Sequence, residues 1–372
     1  RISLLDSVRQ RDERDPAALQ KDLPNFRFML GSKRVPNNSS KLPSLMTVNY
    51  VAYLLWERDG RLLESEYESQ KNNLKRILSQ EDLGLNWLTS WANIQENLYD
   101  VTLKPYWGGE LPGQSIYVPR AYTPKGWLAI SNFIEKIQRV QIAKELIELT
   151  RADYIKRYRF AYFQAWENFL KDFHKGELLW KGREQRLELA AQLSTDESPF
   201  NKVFKQVNLA VVPAIKLSDD KEKQVPYWVW HIQRFLLLQQ PKYKQTLKGT
   251  DGVLGMGGKF LNKLREDIAG SGDNEESRFS TDRKALPFVE SYLKSIVVMA
   301  DTAAARQASF ELAKQSFSQA ETIVGEPKIA VLNNDYSRNK LRKLIGQPGR
   351  PEQEIFWQLL HHQFRILWKI IL

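Results

Sequence analysis

Residues 151–173 read RADYIKRYRFAYFQAWENFLKDF, and within them Tyr154, Tyr158, Tyr162, Trp166 and Leu170 recur at every fourth position. Four residues is close to one helical turn, so the five side chains project from one side of a helix. Each step of four drifts by about 40° around the axis, which makes the set a slanted ridge. A ridge of this bulk predicts a buried seam packed against a second long helix; a platform for stacking a ligand is the alternative. The interleaved cations Arg151, Lys156, Arg157 and Arg159 are then its solvent side.

The helical reading extends outward from this ridge. No proline occurs between Pro124 and Phe173, so helix is expected from Pro124 onward, with Pro124 at a first helical position and Thr123 as the N-cap. Residues 82–95 place Leu83, Trp87, Trp91 and Ile94 on one helical face. Between these lies 99–126, with Tyr106-Trp107-Gly108-Gly109, Leu111-Pro112-Gly113 and Ile116-Tyr117-Val118-Pro119. Proline and glycine at this density exclude a continuous helix and predict an ordered loop with one short strand. Further helices are expected at Arg183–Leu193, at about 200–211 with Phe200, Val203, Phe204 and Val207 inward, at Tyr227–Leu238, at Leu286–Ala320 and at Glu354–Leu372. Residues 194–199 (STDESP) are read as supplying caps for the helix that follows them.

The fold class expected is therefore mainly α: an elongated helical bundle with ordered Pro/Gly-rich loops and at most a minor β element. Four segments are expected: an N-terminal helical region over 1–80 with a polar linker at 31–45, a helical domain with the aromatic ridge over 81–245, mobile Gly/Ser-rich loops over 246–284, and a C-terminal helical region over 285–372.

Composition limits the chemistry. The 372 residues carry 55 Lys plus Arg against 44 Asp plus Glu, a formal charge of +11, with no Cys. Absence of Cys excludes thiolate zinc sites, iron–sulfur clusters and cysteine nucleophiles. No window is apolar for the ~18–20 residues a membrane span requires. The mixed-charge run Arg1–Arg14 is not a signal peptide, and the start at Arg together with the apolar end Ile370-Ile371-Leu372 leads us to expect a piece of a longer protein. The positive balance admits nucleic acid, an anionic membrane surface or an acidic protein as partner. The charges are nevertheless interspersed, as in Asp219-Asp220-Lys221-Glu222-Lys223, which reads as a solvated surface.

Candidate reactive motifs fail on inspection. Gly252-Val253-Leu254-Gly255-Met256-Gly257-Gly258-Lys259-Phe260 imitates a phosphate-binding loop. It has Val253 where the first glycine belongs and Phe260 where a magnesium-binding hydroxyl belongs. The histidines are His174, His231 and the adjacent pair His361-His362; neighbours on a helix point about 100° apart and do not share a metal. No isolated carboxylate pair and no G-x-S-x-G elbow occurs. The residues thus predict no enzyme, no metal and no cofactor. A basic nucleic-acid-binding module remains the alternative, on the net charge and the aromatics of Arg151–Arg159.

An ordered series of segments carries a resemblance. Trp87-Leu88-Thr89-Ser90-Trp91 is followed by Val101-Thr102-Leu103-Lys104-Pro105-Tyr106-Trp107-Gly108 and by Val118-Pro119-Arg120-Ala121-Tyr122-Thr123-Pro124-Lys125-Gly126-Trp127. Then come the ridge, Ser198-Pro199-Phe200, Phe356-Trp357 and Phe364-Arg365-Ile366-Leu367. Over residues 80–370 this resembles the periplasmic part of the IcmF family, called TssM in type VI secretion. Pro124 and Trp127 depart from the type VI pattern, and the sequence stops where a β-rich domain follows in the family; both tilt the reading towards the type IVB (Dot/Icm) branch.

The resemblance implies an inner-membrane protein anchored through segments outside this sequence, with the present region a helical periplasmic scaffold of a secretion apparatus. It implies a DotU-like (TssL-like) inner-membrane partner, outer-membrane-side lipoproteins and further copies of itself as partners, with no nucleic acid. It carries over no catalytic residue. The residues expected to matter are structural: Trp91, Trp107, Tyr122, Gly126, Tyr158, Tyr162 and Trp166. Trp166→Ala should lower the unfolding free energy by about 3–5 kcal/mol in urea titration, through loss of buried aromatic packing.

Overall fold

The ridge is buried along its length: Tyr154, Tyr158, Tyr162, Trp166 and Leu170 are at most 3% exposed in the computed structural model. That structure describes residues 49, 53, 60–78, 85–139, 144–217, 225–248, 275–317, 325–346 and 354–372. The linker at 31–45, the phosphate-loop imitation at 252–260 and the charged stretch 219–224 lie outside the described residues. The chain is mainly α, with one two-stranded ribbon among the described residues, and none of its described helices is long and apolar enough to cross a membrane.

Two compact units form, and they cut across the four segments expected from the sequence: residues 1–95 with 126–157, and residues 96–125 with 158–372. The first contains α1 (Gly60–Leu78), α2 (Trp87–Asn93), all but the first two residues of α4 (Pro124–Arg139) and the first half of α5 (Lys144–Asp172). Ile130, Ile134 and Ile137 of α4 recur at helical spacing and are buried. The Tyr154 hydroxyl meets Thr89 Oγ1 at 3.1 Å. The face predicted for α2 is corrected here. Leu88 and Ala92 are its buried residues, Ile94 is 62% exposed, and Trp87 and Trp91 lie half-buried against Phe133 at ring distances of 5.4 and 4.8 Å. The helix has seven residues, so only one i, i+4 pair turns fully inward, and the indoles pack along its flank.

The second unit opens with β1 (Val101–Thr102), α3 (Lys104–Trp107) and β2 (Tyr117–Val118). The strands are antiparallel, Val101 opposite Val118 and Thr102 opposite Tyr117. Gly108 ends α3 with φ +80°, a left-handed closure that favours glycine. A 3₁₀ turn, Arg120–Tyr122, leads to α4, and Thr123 before it is extended with its hydroxyl donating to the Arg120 carbonyl at 2.7 Å. After α5 come a 3₁₀ segment (Phe173–Leu179), α6 (Arg183–Leu193), α7 (Pro199–Ala210), α8 (Val212–Lys216), α9 (Tyr227–Gln239) and α10 (Pro241–Lys248). The order closes with α11 (Glu275–Ala304), α12 (Arg306–Phe317), α13 (Glu326–Ile345) and α14 (Glu354–Ile371).

Phe200, Val203, Phe204 and Val207 of α7 are fully buried, as their spacing predicts. Against the expectation of a side-chain cap, Ser198 at the N-cap position makes no capping bond and its buried hydroxyl is unpaired. Pro199 at the first helical position has no N–H to satisfy, which reduces the need. The single helix expected over Leu286–Ala320 is broken at Ala305. The loop reading of 246–284 is corrected at both ends, where α10 runs to Lys248 and α11 begins at Glu275. Residues 275–284 contain neither Gly nor Pro, and acids near a helix start are stabilised by the macrodipole.

Among the described residues, the polar tips of the ridge meet a turn and a helix end in place of the second long helix expected. Tyr158 Oη donates to the Ala121 carbonyl at 2.5 Å and Trp166 Nε1 to the Tyr122 carbonyl at 3.0 Å, while Tyr162 Oη donates to the Ala210 carbonyl at 2.5 Å. A buried Tyr or Trp requires an acceptor for its polar tip. Carbonyls inside helices already accept one hydrogen bond, whereas those of a turn or of a last helical turn have no intrahelical donor. The ridge therefore packs on the 117–123 segment and on the C-terminal end of α7.

The ring of Trp107 lies where a side chain at Gly176 would stand: a Cβ there would fall 2.3 Å from the indole. Gly176→Ala should cost about 1–3 kcal/mol through overpacking. Gly109→Ala, whose Cβ would meet Leu179 at 3.6 Å, should stay within about 0.5 kcal/mol. Urea-unfolding midpoints of the two variants check the contrast.

Candidate functional site

The structure places the predicted residues in two groups. Tyr122, Tyr158, Tyr162 and Trp166 come together in the second unit, with the Tyr122 ring 5.6 Å from Tyr158 and 6.3 Å from Tyr162. Trp166 continues through Phe169 and Phe173 to Trp107, which also meets Phe200 edge-on at 5.8 Å. Trp91 and Gly126 belong to the first unit, where Gly126 is buried in the first turn of α4. Burial raises the Tyr122 and Tyr162 hydroxyls above the ordinary tyrosine range. The ridge residues, from Tyr154 to Leu170, have no free face on which a ligand ring could stack. Trp107, Gly126, Tyr158, Tyr162 and Trp166 are buried and Trp91 and Tyr122 half-buried, and the seven assemble no reactive centre.

Charged chemistry sits elsewhere. Arg234, 5% exposed, is paired through Nε with Asp282, 1% exposed. Tyr243 Oη donates to the second carboxylate oxygen at 2.8 Å, and the guanidinium lies 4.7 Å over the Trp230 ring. A buried charge is tolerated only when so paired. A lone arginine in the apolar run YWVWHIQRFLLL announces the need for a buried anion, but Asp282 stands in a stretch whose composition reads as mobile loop, so the sequence does not signal the pair. Next to it on α9, His231 is fully buried, with Trp230 and Trp357 each at 5.3 Å and Phe356 at 5.8 Å. Burial, with the Arg234 charge adding to it and the Ile345 carbonyl opposing, pushes its pKa down to about 4.

His361 and His362 are neighbours that do not act together. His362 instead stacks on His174 of the 3₁₀ segment, with parallel rings 3.9 Å apart. Burial and then the surrounding cations hold His362 down to about 4, and burial lowers His174. Among the described residues no group of three or more His, Asp or Glu side chains converges as a metal site would require.

One turn further along α14 a cleft of about 480 Å³ opens between this helix, the 3₁₀ segment and the start of α6. Trp180, Leu189, Ile366 and Ile370 form apolar walls. Ile366 and Ile370 are one helical step of four apart, and Arg186 and Leu189 one step of three, so each helix presents one face to the cleft. Lys181, Arg186 and Lys369 stand around it with one carboxylate, Glu177. Lys369 Nζ holds Glu177 Oε1 at 2.5 Å. Gln185 Oε1 accepts from the Lys181 and Gly182 N–H groups at 3.2 and 3.1 Å, which fixes the backbone below Arg186. The lining residues are about 180 positions apart in sequence, and no local motif signals them. Compared with known protein families, curated proteins and solved structures, the chain matches none.

The buried His231 makes stability acid-sensitive. It titrates near 6.5 when unfolded and near 4 in the fold, so between these values the unfolded chain binds the proton and the folded chain does not. Its contribution is fully present above pH 6.5 and is lost as pH falls towards 4. Between pH 7 and pH 5 this amounts to about 2 kcal/mol. Urea unfolding of the His231→Gln variant at the two pH values should show that increment missing from its pH dependence.

Proposed function

We propose that this chain is a structural scaffold: the periplasmic part of an IcmF-family inner-membrane protein that assembles and stabilises an envelope-spanning bacterial secretion apparatus, the type IVB (Dot/Icm) system favoured over type VI. The observation that carries the reading is the convergence of most of the resembling segments in one core. The Val118–Thr123 segment receives hydrogen bonds from Tyr158 and Trp166 of the ridge. Trp107 of the loop packs on Phe200 of the Ser198-Pro199-Phe200 segment, and Phe204 of α7 packs on Phe356 of α14 at 5.7 Å. Their large side chains are engaged in packing and main-chain hydrogen bonds, as residues that preserve a framework are, and none is presented as an acid, base or nucleophile.

A scaffold requires faces for other subunits. On α13, Ile329, Leu332 and Tyr336 recur at spacings of three and four and are 46–55% exposed, an apolar stripe of the sort that subunit contacts use. The partners under this reading are a DotU-like (TssL-like) inner-membrane protein, outer-membrane-side lipoproteins and further copies of the chain, with membrane anchorage through segments outside this sequence and no catalytic activity or cofactor. The alternative of a nucleic-acid module loses its stacking element, because Tyr154 and Tyr158 of the basic run are buried.

Cross-linking mass spectrometry on intact envelopes of the source bacterium tests the proposal. Cross-links from this region to inner-membrane and lipoprotein subunits of a secretion system are expected. Cross-links confined to ribosomal or nucleoid proteins would overturn it.

A further inference from the structure

The cleft at α14 combines two features that a merely structural groove does not need together: apolar walls and cations in excess of carboxylates. Glu177 is already neutralised by Lys369 at 2.5 Å. The remaining cations, Lys181 and Arg186, have no carboxylate partner among the described residues. Arg186 is tethered by Nε, which donates to the Trp180 carbonyl at 3.4 Å, so its terminal nitrogens are left as a fork. A guanidinium fork matches the geometry of a carboxylate or phosphate, and an ammonium beside it adds a compact point charge. A wholly polar anion would leave Trp180, Leu189, Ile366 and Ile370 facing it without gain, and an uncharged apolar molecule would leave the two cations unmatched. The volume, about 480 Å³, lies within the range that small-molecule sites occupy.

We propose that this cleft binds an amphiphilic anion, its carboxylate or phosphate head on Lys181 and Arg186 and one alkyl chain along Trp180, Leu189, Ile366 and Ile370. The site stands or falls separately from the scaffold reading, because it lies wholly within one unit and neither of its two cations belongs to the resembling segments. Both cations are exposed, so replacing them leaves the core intact.

Calorimetric titration of the whole chain with dodecanoate and dodecyl phosphate, below their micelle concentrations, tests the inference, with dodecanol as the uncharged comparison. Each anion is expected to bind once per chain and about tenfold or more tighter than dodecanol. The double variant Lys181→Gln/Arg186→Gln should lose at least about tenfold in anion affinity and leave dodecanol unchanged, and Ile370→Asp should weaken all three. Phosphatidylcholine vesicles containing phosphatidylglycerol separate the two sources of such a head group. Retention that the double variant loses assigns it to a bilayer lipid; absence of retention, with the monomers binding, assigns it to a free amphiphile. No binding by either anion, dodecanol binding as tightly as the anions, or unchanged anion binding by the double variant would overturn the proposal.

Discussion

Three hydrogens decide how the second unit is put together: those on Tyr158 Oη, Tyr162 Oη and Trp166 Nε1. Each sits on a side chain that is buried, and each would cost about 1–3 kcal/mol if left without an acceptor in a dry interior. Within a helix each main-chain carbonyl already accepts one bond, and for these three donors the acceptors lie where regular structure ends. Ala121 and Tyr122 supply them from the 3₁₀ turn, and Ala210 supplies one from the last residue of α7. The requirement accounts for two features at once. The Pro/Gly-rich stretch 99–126 is ordered because its turn is held by the ridge, and α7 ends where a ridge tyrosine needs its terminal carbonyl.

The same logic operates with charge around α9. This helix is buried on nearly all sides, including His231, Gln233 and Arg234. Arg234 is the costly member, and its cost is offset by Asp282 and the Tyr243 hydroxyl, which together join α9, α10 and α11. Tyr292 on α11 donates towards the Leu360 carbonyl and Gln363 Oε1, and Gln363 Nε2 donates to the Leu193 carbonyl at the end of α6. Polar groups placed inside a helical core thus choose its partners by geometry, where apolar packing alone would accept several registers.

What could be read from sequence divides along this line. The ridge, α7 and α14 were legible because their apolar periodicity is strong. The partner of the ridge was not, because every residue carries a carbonyl and nothing in the sequence says which one is left free. The start of α11 was hidden by an acidic, serine-containing composition that reads locally as loop, while Asp282 acts through a contact 48 positions away. Helix α13 shows the muting most clearly. Its buried positions Ala330, Asn334, Ser337 and Leu341 include two polar residues, and its exposed ones include Ile329, Leu332 and Tyr336. Asn334 is buried because it donates to Ser295 Oγ at 2.8 Å and accepts from Arg338. A pattern that equates apolar with inward therefore reads this helix on the wrong face.

The candidate cleft was invisible for a further reason: nothing in it obeys a motif. Its chemistry arises because α14, whose inward face is set by Phe356, Leu360, Phe364 and Leu367, continues for one more turn past the end of that core. There the helix meets the start of α6 and a 3₁₀ segment held in place by the fit of Gly176 under Trp107. Ile366 and Ile370 face a space bordered by Trp180 and by Leu189 of α6. Glycine at 176 and the bulk of Trp107 thus set the local floor of the core, and the incomplete packing beyond it leaves an apolar cavity at the surface. Cations at such an edge keep their hydration while their stems cover the apolar wall. The site is for that reason separable from stability: its walls belong to the framework, and its charges do not.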